Sequence, residues 1–374
     1  MYTSFQVRNF RCLSELSLKR LKRVNLIAGL NGVGKTTLLE AVFLHSGGYS
    51  AELALRVNAF RGMQTIKLPT HPSVERIWDS LFTEFDTSKT VEIAGSIKGR
   101  GQRILRLRSL PAAVLRALEM MPRSAGDAES EQDRGTARGP KTVTVPLSSE
   151  AAQALELEYE ENGNRGKHTV VLDHTGVRFE PVIPQPPSFQ TIFVSDRLPA
   201  SPQDFAERFG NLEVRGRQQV LVELLKLIEP RLRRVTMVMR TPGQPVLHGD
   251  VGLPRLMPVN LMGDGIMRLV HLGVSIGNAE GGVALLDEVE NGLHHSVLEK
   301  VWLAVAEMAG EFNTQIFATT HSWECIVAAQ RAFHGMKPYD FQYLRLQRVA
   351  EKLRAITYDR ETLAAAAESG VEVR

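Results

Sequence analysis

At 374 residues, 43% hydrophobic and 23% charged, the chain is long enough to bury one large core or two ordinary ones, and a net charge of +3 gives no general attraction to nucleic acid. No apolar run is long enough to cross a bilayer, and the N-terminal stretch, broken by Arg8, Arg11, Lys19 and Arg20, lacks an apolar signal region, so a cytoplasmic protein without a membrane partner is expected. Cys12 and Cys325 have no metal-ligand spacing, which argues against a zinc site or a disulfide framework.

The head of the chain reads as two strands, then a buried strand over Val24 to Ala28, a glycine-rich turn, and an apolar helical pattern over Thr37 to His45. Gly29, Gly34, Lys35 and Thr36 fit G-x-x-x-x-G-K-[ST], in which backbone N–H groups curl round a phosphate and the lysine reaches the terminal phosphates. Strand before and helix after are what such a loop requires, because the positive helix end faces the anion. The nucleotide-binding candidates are therefore Gly29, Asn31, Gly32, Val33, Gly34, Lys35, Thr36 and Thr37, with Thr36 also a Mg²⁺ ligand.

Next, residues 51–63 and 73–85 read as helical, whereas 90–110 and 154–183 carry short β-prone runs such as ILRLR, LELEY and HTVVLDH. The span 51–189 is thus expected to be a helical and antiparallel β insertion, with a mobile loop near 122–142 where large apolar side chains are scarce. Lys98, Arg100, Arg103, Arg106 and Arg108 form one basic cluster, and Arg231, Arg233 and Arg234 another; either could bind backbone phosphates or simply face solvent. A helix over 220–232 is expected to stop at Pro230.

Towards the end, Leu261 to Arg268 places Gly263, Asp264 and Gly265 at the start of an apolar helix, where free N–H groups could hold an anion or merely form a glycine cap. Val283 to Leu286 is an apolar strand that delivers Asp287 and Glu288 at its C-terminal end, where ligands bind in parallel sheets. Asp287 would sit by Mg²⁺ and Glu288, on the other side of the pleat, would orient and deprotonate water; the alternative is an acid pair capping the helix near Leu293. A further strand, 315–318, ends in Thr319-Thr320-His321-Ser322, so that His321 could hydrogen-bond a γ-phosphate or lie idle beside a helix cap.

In order, GLNGVGKTT, LMGDGIMR, LLDEVENGLHHS and FATTHS resemble the Walker A, signature, Walker B with D-loop, and switch-histidine motifs of ABC-class ATPases. The opening FQVRNFRCLSELSL is similar to the first strands of the RecF, SMC and OLD-like branch. The resemblance implies a single α/β domain of the P-loop NTPase, ABC ATPase type. Its central, mostly parallel sheet is flanked by helices and formed from residues 1–50 and 190–374, with the antiparallel β-rich lobe inserted. It implies ATP and Mg²⁺ as ligands, Glu288 and His321 as catalytic residues, Thr36 and Asp287 at the metal, and Gly263 to Gly265 on the γ-phosphate of a second copy in a homodimer. The signature serine is replaced by Gly263, and the Q-loop position falls to Gln190 or to the stretch Ser195-Asp196-Arg197. A nuclease domain like that of OLD relatives has no room after His321, and no heptads announce an SMC arm. Relatives suggest work in genome maintenance or antiphage defence beside a separately encoded nuclease or toxin. The competing readings are a nucleotide-regulated DNA- or RNA-binding module and, disfavoured by the insertion and Gly263, a transporter ATPase subunit.

Overall fold

The computed structural model describes residues 1–48, 50–61, 77–110, 153–173, 176–180, 187–195, 201–241, 244–350 and 352–374. Three sheets organise them. The first is six-stranded, in the order β16-β15-β3-β14-β13-β9: Lys352–Tyr358, Phe341–Val349, Val24–Ala28, Gln315–Thr319, Val283–Leu286 and Thr191–Val194. Its four pairings from β15 to β9 are parallel, and only the β15–β16 hairpin is antiparallel. The second is an antiparallel seven-stranded sheet, β2-β1-β4-β5-β6-β7-β8, built from Leu13–Lys19, Tyr2–Phe10, Val91–Ile97, Gly101–Leu110, Gln153–Glu161, Asn164–Asp173 and Gly176–Glu180. A small sheet of β10 (Arg234–Thr241), β11 (Gln244–Asp250) and β12 (Met257–Pro258) completes the set.

The central strands are buried and largely apolar because helices and the second sheet cover both faces, with Asn25, Gln315 and Thr319 as buried polar exceptions. In β3, Val24, Leu26 and Ala28 enter one core and Ile27 the other; in β13, Ala284 and Leu286 face one way and Val283 and Leu285 the opposite. Helix α1 (Lys35–Ser46) lies in the core between the two large sheets, and eleven of its twelve residues are buried. Helices α3 (Pro202–Val214), α4 (Gln218–Lys226), α5 (Asp264–Asn278), α6 (His295–Glu311), α7 (Trp323–His334) and α8 (Arg360–Glu368) contribute to the other core, and α2 (Glu52–Ala59) packs on α1. No helix among the described residues is long and apolar enough to cross a membrane.

The fold class read from the sequence is the one observed. In detail, β1 and β2 join the antiparallel sheet, because β1 pairs with β4 as well as β2, so a division at residue 50 does not separate the two large sheets. The helix expected over 73–85 is absent from the described part, where Asp79–Leu81 and Thr83–Phe85 are single 3₁₀ turns and Glu84 and Phe85 both take φ of 59°. The loop expected near 122–142 lies outside the described residues.

The far end of α1 is fixed to the antiparallel sheet. Arg103, fully buried on β5, donates to the carbonyls of His45 and Ser46 and to the Glu161 carboxylate, which satisfies helix-end acceptors that would otherwise lack partners. His45 Nε2 meets the Arg103 carbonyl at 3.0 Å and Nδ1 meets the Tyr2 hydroxyl at 2.8 Å. A carbonyl only accepts, so Nε2 carries the proton and Nδ1 accepts from Tyr2. Burial pushes this imidazole down to about 3 from its ordinary 6.5. As pH falls below 6.5 the unfolded chain therefore takes up a proton that the folded chain refuses, and stability should drop with a slope approaching ~1.4 kcal/mol per pH unit from this group. Urea unfolding of the wild type and of His45→Gln between pH 7 and 4 measures the difference; parallel slopes would mean that His45 is charged in the fold.

Candidate functional site

The turn after β3 is shaped by close backbone approach. Gly29 has φ of 146°, and a Cβ there would come within 2.5 Å of the Leu346 carbonyl oxygen; at Gly34, φ of 108°, it would strike Leu13 at 2.9 Å. Helix α1 then begins at Lys35 with no side-chain cap and no acid in its first turn, so its leading N–H groups are left for an anion. Lys35 Nζ bends back to donate to the carbonyls of Gly29 (2.7 Å) and Leu30 (3.2 Å). Burial lowers its pKa, while Glu288, Asp287 and Glu290 oppose that shift.

Two strands away, Asp287 follows directly on β13. Its carboxylate accepts from Thr36 Oγ1 at 3.0 and 3.1 Å and from Thr319 Oγ1 at 2.6 Å. Burial raises the Asp287 pKa, the two hydroxyls pull it down, and Glu288 adds to the rise. Glu288 does not continue the pleat, as the sequence pattern had suggested. The strand ends at Leu286, and Glu288 takes φ of 46°, its N–H donating to Thr319 Oγ1 at 2.9 Å and its carboxylate accepting from Asn291 Nδ2 at 2.7 Å. The buried Arg268 guanidinium on α5 holds this turn by donating to the carbonyls of Asp287 and Glu288, both at 2.6 Å. The acids do not cap a helix: α6 starts at His295 and its cap is His294.

His321 follows β14 and is half exposed, and the cap of α7 is Ser322. Gly263 (φ 108°) precedes α5, which likewise starts without a side-chain cap; Leu261, Gly263 and Asp264 are exposed, while Gly265 packs against Gly292 and Leu293. The sheet thus gathers Gly29 to Thr37, Asp287, Glu288 and His321 at the C-terminal ends of β3, β13 and β14. Gln190 stands before β9, at the opposite end, whereas Ser195 follows β9 beside Asp287, whose N–H donates to the Val194 carbonyl. Asp196 and Arg197 lie outside the described residues. Thr319, Glu290 and Arg268 were present in the quoted motifs without an assigned role; polar residues at the end of an apolar strand were the available signal.

A family model described as an AAA domain matches residues 4–98, and one described as an AAA ATPase domain matches residues 248–326. The chain is 19% identical over 349 residues to an ATP/GTP phosphatase of Helicobacter pylori, covering 87% of this chain and 86% of that one. It is 36% identical over 67 residues, 18% of each chain, to the DNA replication and repair protein RecF of Nitrosococcus oceani. Among solved structures it is similar to an SMC head bound to the C-winged helix domain of ScpA, with a TM-score of 0.55 and 13% identity over 97% of this chain and 99% of that one. An Smc head with an extended coiled coil, bound to the C-terminal domain of ScpA derived from Pyrococcus furiosus, gives 0.53 at 12% identity over 99% of each. The protein is an ATPase with the ABC-type fold, similar to RecF in part of its length and to SMC heads in fold.

In this ATPase the basic cluster on β5 is largely neutralised. Arg106 pairs with Glu92 at 3.0 Å and Glu160 at 3.7 Å, and Arg108 with Glu158 and Glu156, on top of the Arg103–Glu161 pair, so the ladder of glutamates on β6 faces the arginines. In the second cluster Arg231 pairs with Glu229 and Arg234 with Asp250. The cation of the glycine-rich loop is instead Lys35, held on the Gly29 and Leu30 carbonyls. Lys35→Ala should weaken ATP binding ~10- to 100-fold, the loss expected for a charged hydrogen bond, when titrated calorimetrically; near-native affinity in a folded variant would remove Lys35 from the site.

Proposed function

We propose that the protein hydrolyses ATP with Mg²⁺ at the loop Gly29 to Thr37 and that two copies close on the nucleotide. The observation that carries this reading is the convergence of Thr36 and Thr319 on the buried Asp287 carboxylate, next to an uncapped helix start. A hydroxyl and a carboxylate are hard oxygen ligands suited to Mg²⁺, and among the described residues no cluster of three His, Cys, Asp or Glu offers a metal cage, which fits an ion completed by phosphate oxygens and water. Thr36 and Asp287 would hold it. Bound Mg²⁺ would neutralise charge on the terminal phosphates.

The chain's own groups do the rest. Backbone N–H groups of the loop and α1, with Lys35, bind the phosphates. Glu288, oriented by Asn291, takes the proton of the attacking water, and His321 hydrogen-bonds the γ-phosphate. The exposed, uncapped start of α5 at Gly263 and Asp264 supplies donors for the γ-phosphate of a second copy, in an isologous dimer whose motion is passed to a partner protein or nucleic acid. Such an output suits genome maintenance or antiphage defence, with a separately encoded nuclease or toxin as one class of partner. The reading as a DNA- or RNA-binding module loses support from the paired arginines of β5.

Leu261 is the useful probe of the dimer. It is 72% exposed beside the α5 start, whereas a side chain at Gly265 would press its Cβ to 2.9 Å from the Gly292 carbonyl oxygen of its own chain. Glu288→Gln should keep ATP bound while slowing turnover at least ~100-fold, because the amide cannot accept a proton. Light scattering of that variant should show the mass doubling with ATP. Adding Leu261→Glu should return the monomer mass without loss of ATP binding. A mass indifferent to ATP rejects the dimer, and undiminished turnover in Glu288→Gln rejects Glu288 as the base.

A further inference from the structure

We infer that Glu290 is a positioning residue for hydrolysis: it fixes the switch loop Thr320 to Ser322 and so aims His321, an inference that rests on the reading of His321 as the γ-phosphate contact. Glu290 lies two residues beyond Glu288, in the turn between β13 and α6, and its side chain is 9% exposed. A single oxygen, Oε1, accepts from Thr320 Oγ1 at 2.7 Å, the His321 N–H at 2.9 Å and the Ser322 N–H at 3.2 Å. The same oxygen stands 3.3 Å from His321 Nδ1. The other oxygen, Oε2, is buried with no hydrogen-bond partner among the described residues.

Burying a carboxylate is costly, and leaving one oxygen unpaired makes it more so, so a role in packing alone is a poor explanation. Capping α7 is not the reason either, because the Ser322 hydroxyl accepts from the Cys325 N–H at 3.1 Å and does that by itself. What the carboxylate does is gather three consecutive residues of the loop onto one atom. Nδ1 is the ring nitrogen on the Glu290 side, which leaves Nε2 as the nitrogen farther from Glu290 on the half-exposed ring. Without Glu290 the imidazole is free to rotate and the loop to drift, and small errors in placement cost rate rather than affinity.

The phosphate-binding groups Lys35 and Thr36 are on other elements, so the effect should split between rate and binding. Glu290→Ala should lower kcat ~10- to 100-fold with the calorimetric ATP Kd changed less than twofold. Glu290→Gln should recover most of the rate, since its amide oxygen can accept from the same three donors. Glu290→Asp, which keeps the charge but withdraws the oxygens by one methylene, should remain slow and serves in place of Ala if that variant does not fold. In a His321→Ala background, Glu290→Ala should cost nothing further, as expected for residues that act in one unit. Hydrogen exchange on the nucleotide-free full chain should show the His321 and Ser322 amides faster in Glu290→Ala and near wild type in Glu290→Gln.

Additive losses in the double variant, an unchanged kcat in Glu290→Ala, or amides indifferent to it overturn the inference. Should His321→Ala itself hydrolyse at the wild-type rate, the reading of His321 falls and the rate coupling with it. That outcome is distinct from failure of Glu290 alone, in which His321→Ala is slow and Glu290→Ala is not.

Discussion

The site depends on one buried carboxylate. Asp287 leaves water at the end of β13, and burial pushes its pKa upward, so the charged form is held chiefly by the hydroxyls that donate to it, with the Arg61 charge adding to them. Those donors come from two different segments: Thr36 from the first turn of α1 and Thr319 from the end of β14. Their meeting is possible because β3, β14 and β13 run parallel in one register, with Ile27 opposite Thr319 and Leu286 opposite Ala318, which brings the three strand ends level. A shift of register by one residue would turn Ala318 and Thr319 to the opposite faces and break both the core and the contact.

From that point the physical links run outward through backbone as much as through side chains. Arg268 donates to two successive carbonyls, which ties α5 to the turn that carries Glu288 in a left-handed conformation. An isolated non-glycine residue at such a φ is unfavourable, and the Thr319 hydroxyl and the Arg268 guanidinium are what hold it. Helix α1 is similarly held at its far end by Arg103, while its near end stays open to an anion. Beside it, the fully buried Glu40 lies between Arg61 at 2.6 Å and Arg11 at 3.3 Å, and Arg61 also donates to Thr37. The nucleotide loop is therefore braced by ion pairs behind it and left unpaired in front.

What the sequence made legible follows from which groups act locally. Val24 to Thr36 could be read because a glycine turn between a strand and a helix is a contiguous pattern, and the same holds for Asp287 and Glu288 after Val283 to Leu286. Glu290, Thr319 and Arg268 could not be assigned because their partners are distant in the chain: Arg268 acts on carbonyls nineteen and twenty positions away, and Thr319 on a carboxylate thirty-two away. The edge was misplaced for a similar reason. β1 and β2 resemble the opening of a nucleotide sheet, yet β1 also pairs with β4, and through it both join a sheet whose other strands follow much later. The arginines of β5 could be read from the sequence as a phosphate-binding stripe or as a solvated face, and only the β6 register sets Glu161, Glu158 and Glu156 opposite Arg103, Arg106 and Arg108.

Two helix starts stand apart from the others in beginning on a glycine of positive φ with no side-chain cap. Helices α3, α7 and α8 each begin on a serine or aspartate that accepts from an N–H of the first turn, and α6 on His294, whereas α1, α2, α4 and α5 have no side-chain cap, and of these α1 and α5 begin on a glycine of positive φ, Gly34 and Gly263. Leaving first-turn donors bare is unfavourable unless water or a ligand meets them. For α1 the proposed function accounts for the gap, since phosphate and Mg²⁺ would lie there beside Lys35, Thr36 and Asp287. For α5 the chain itself provides no such set: Gly265 is packed on Gly292, and what remains facing outward is Leu261, Gly263 and Asp264. In the proposed dimer, the nucleotide of the second copy would supply the anion that this helix end lacks, beside the exposed Leu261.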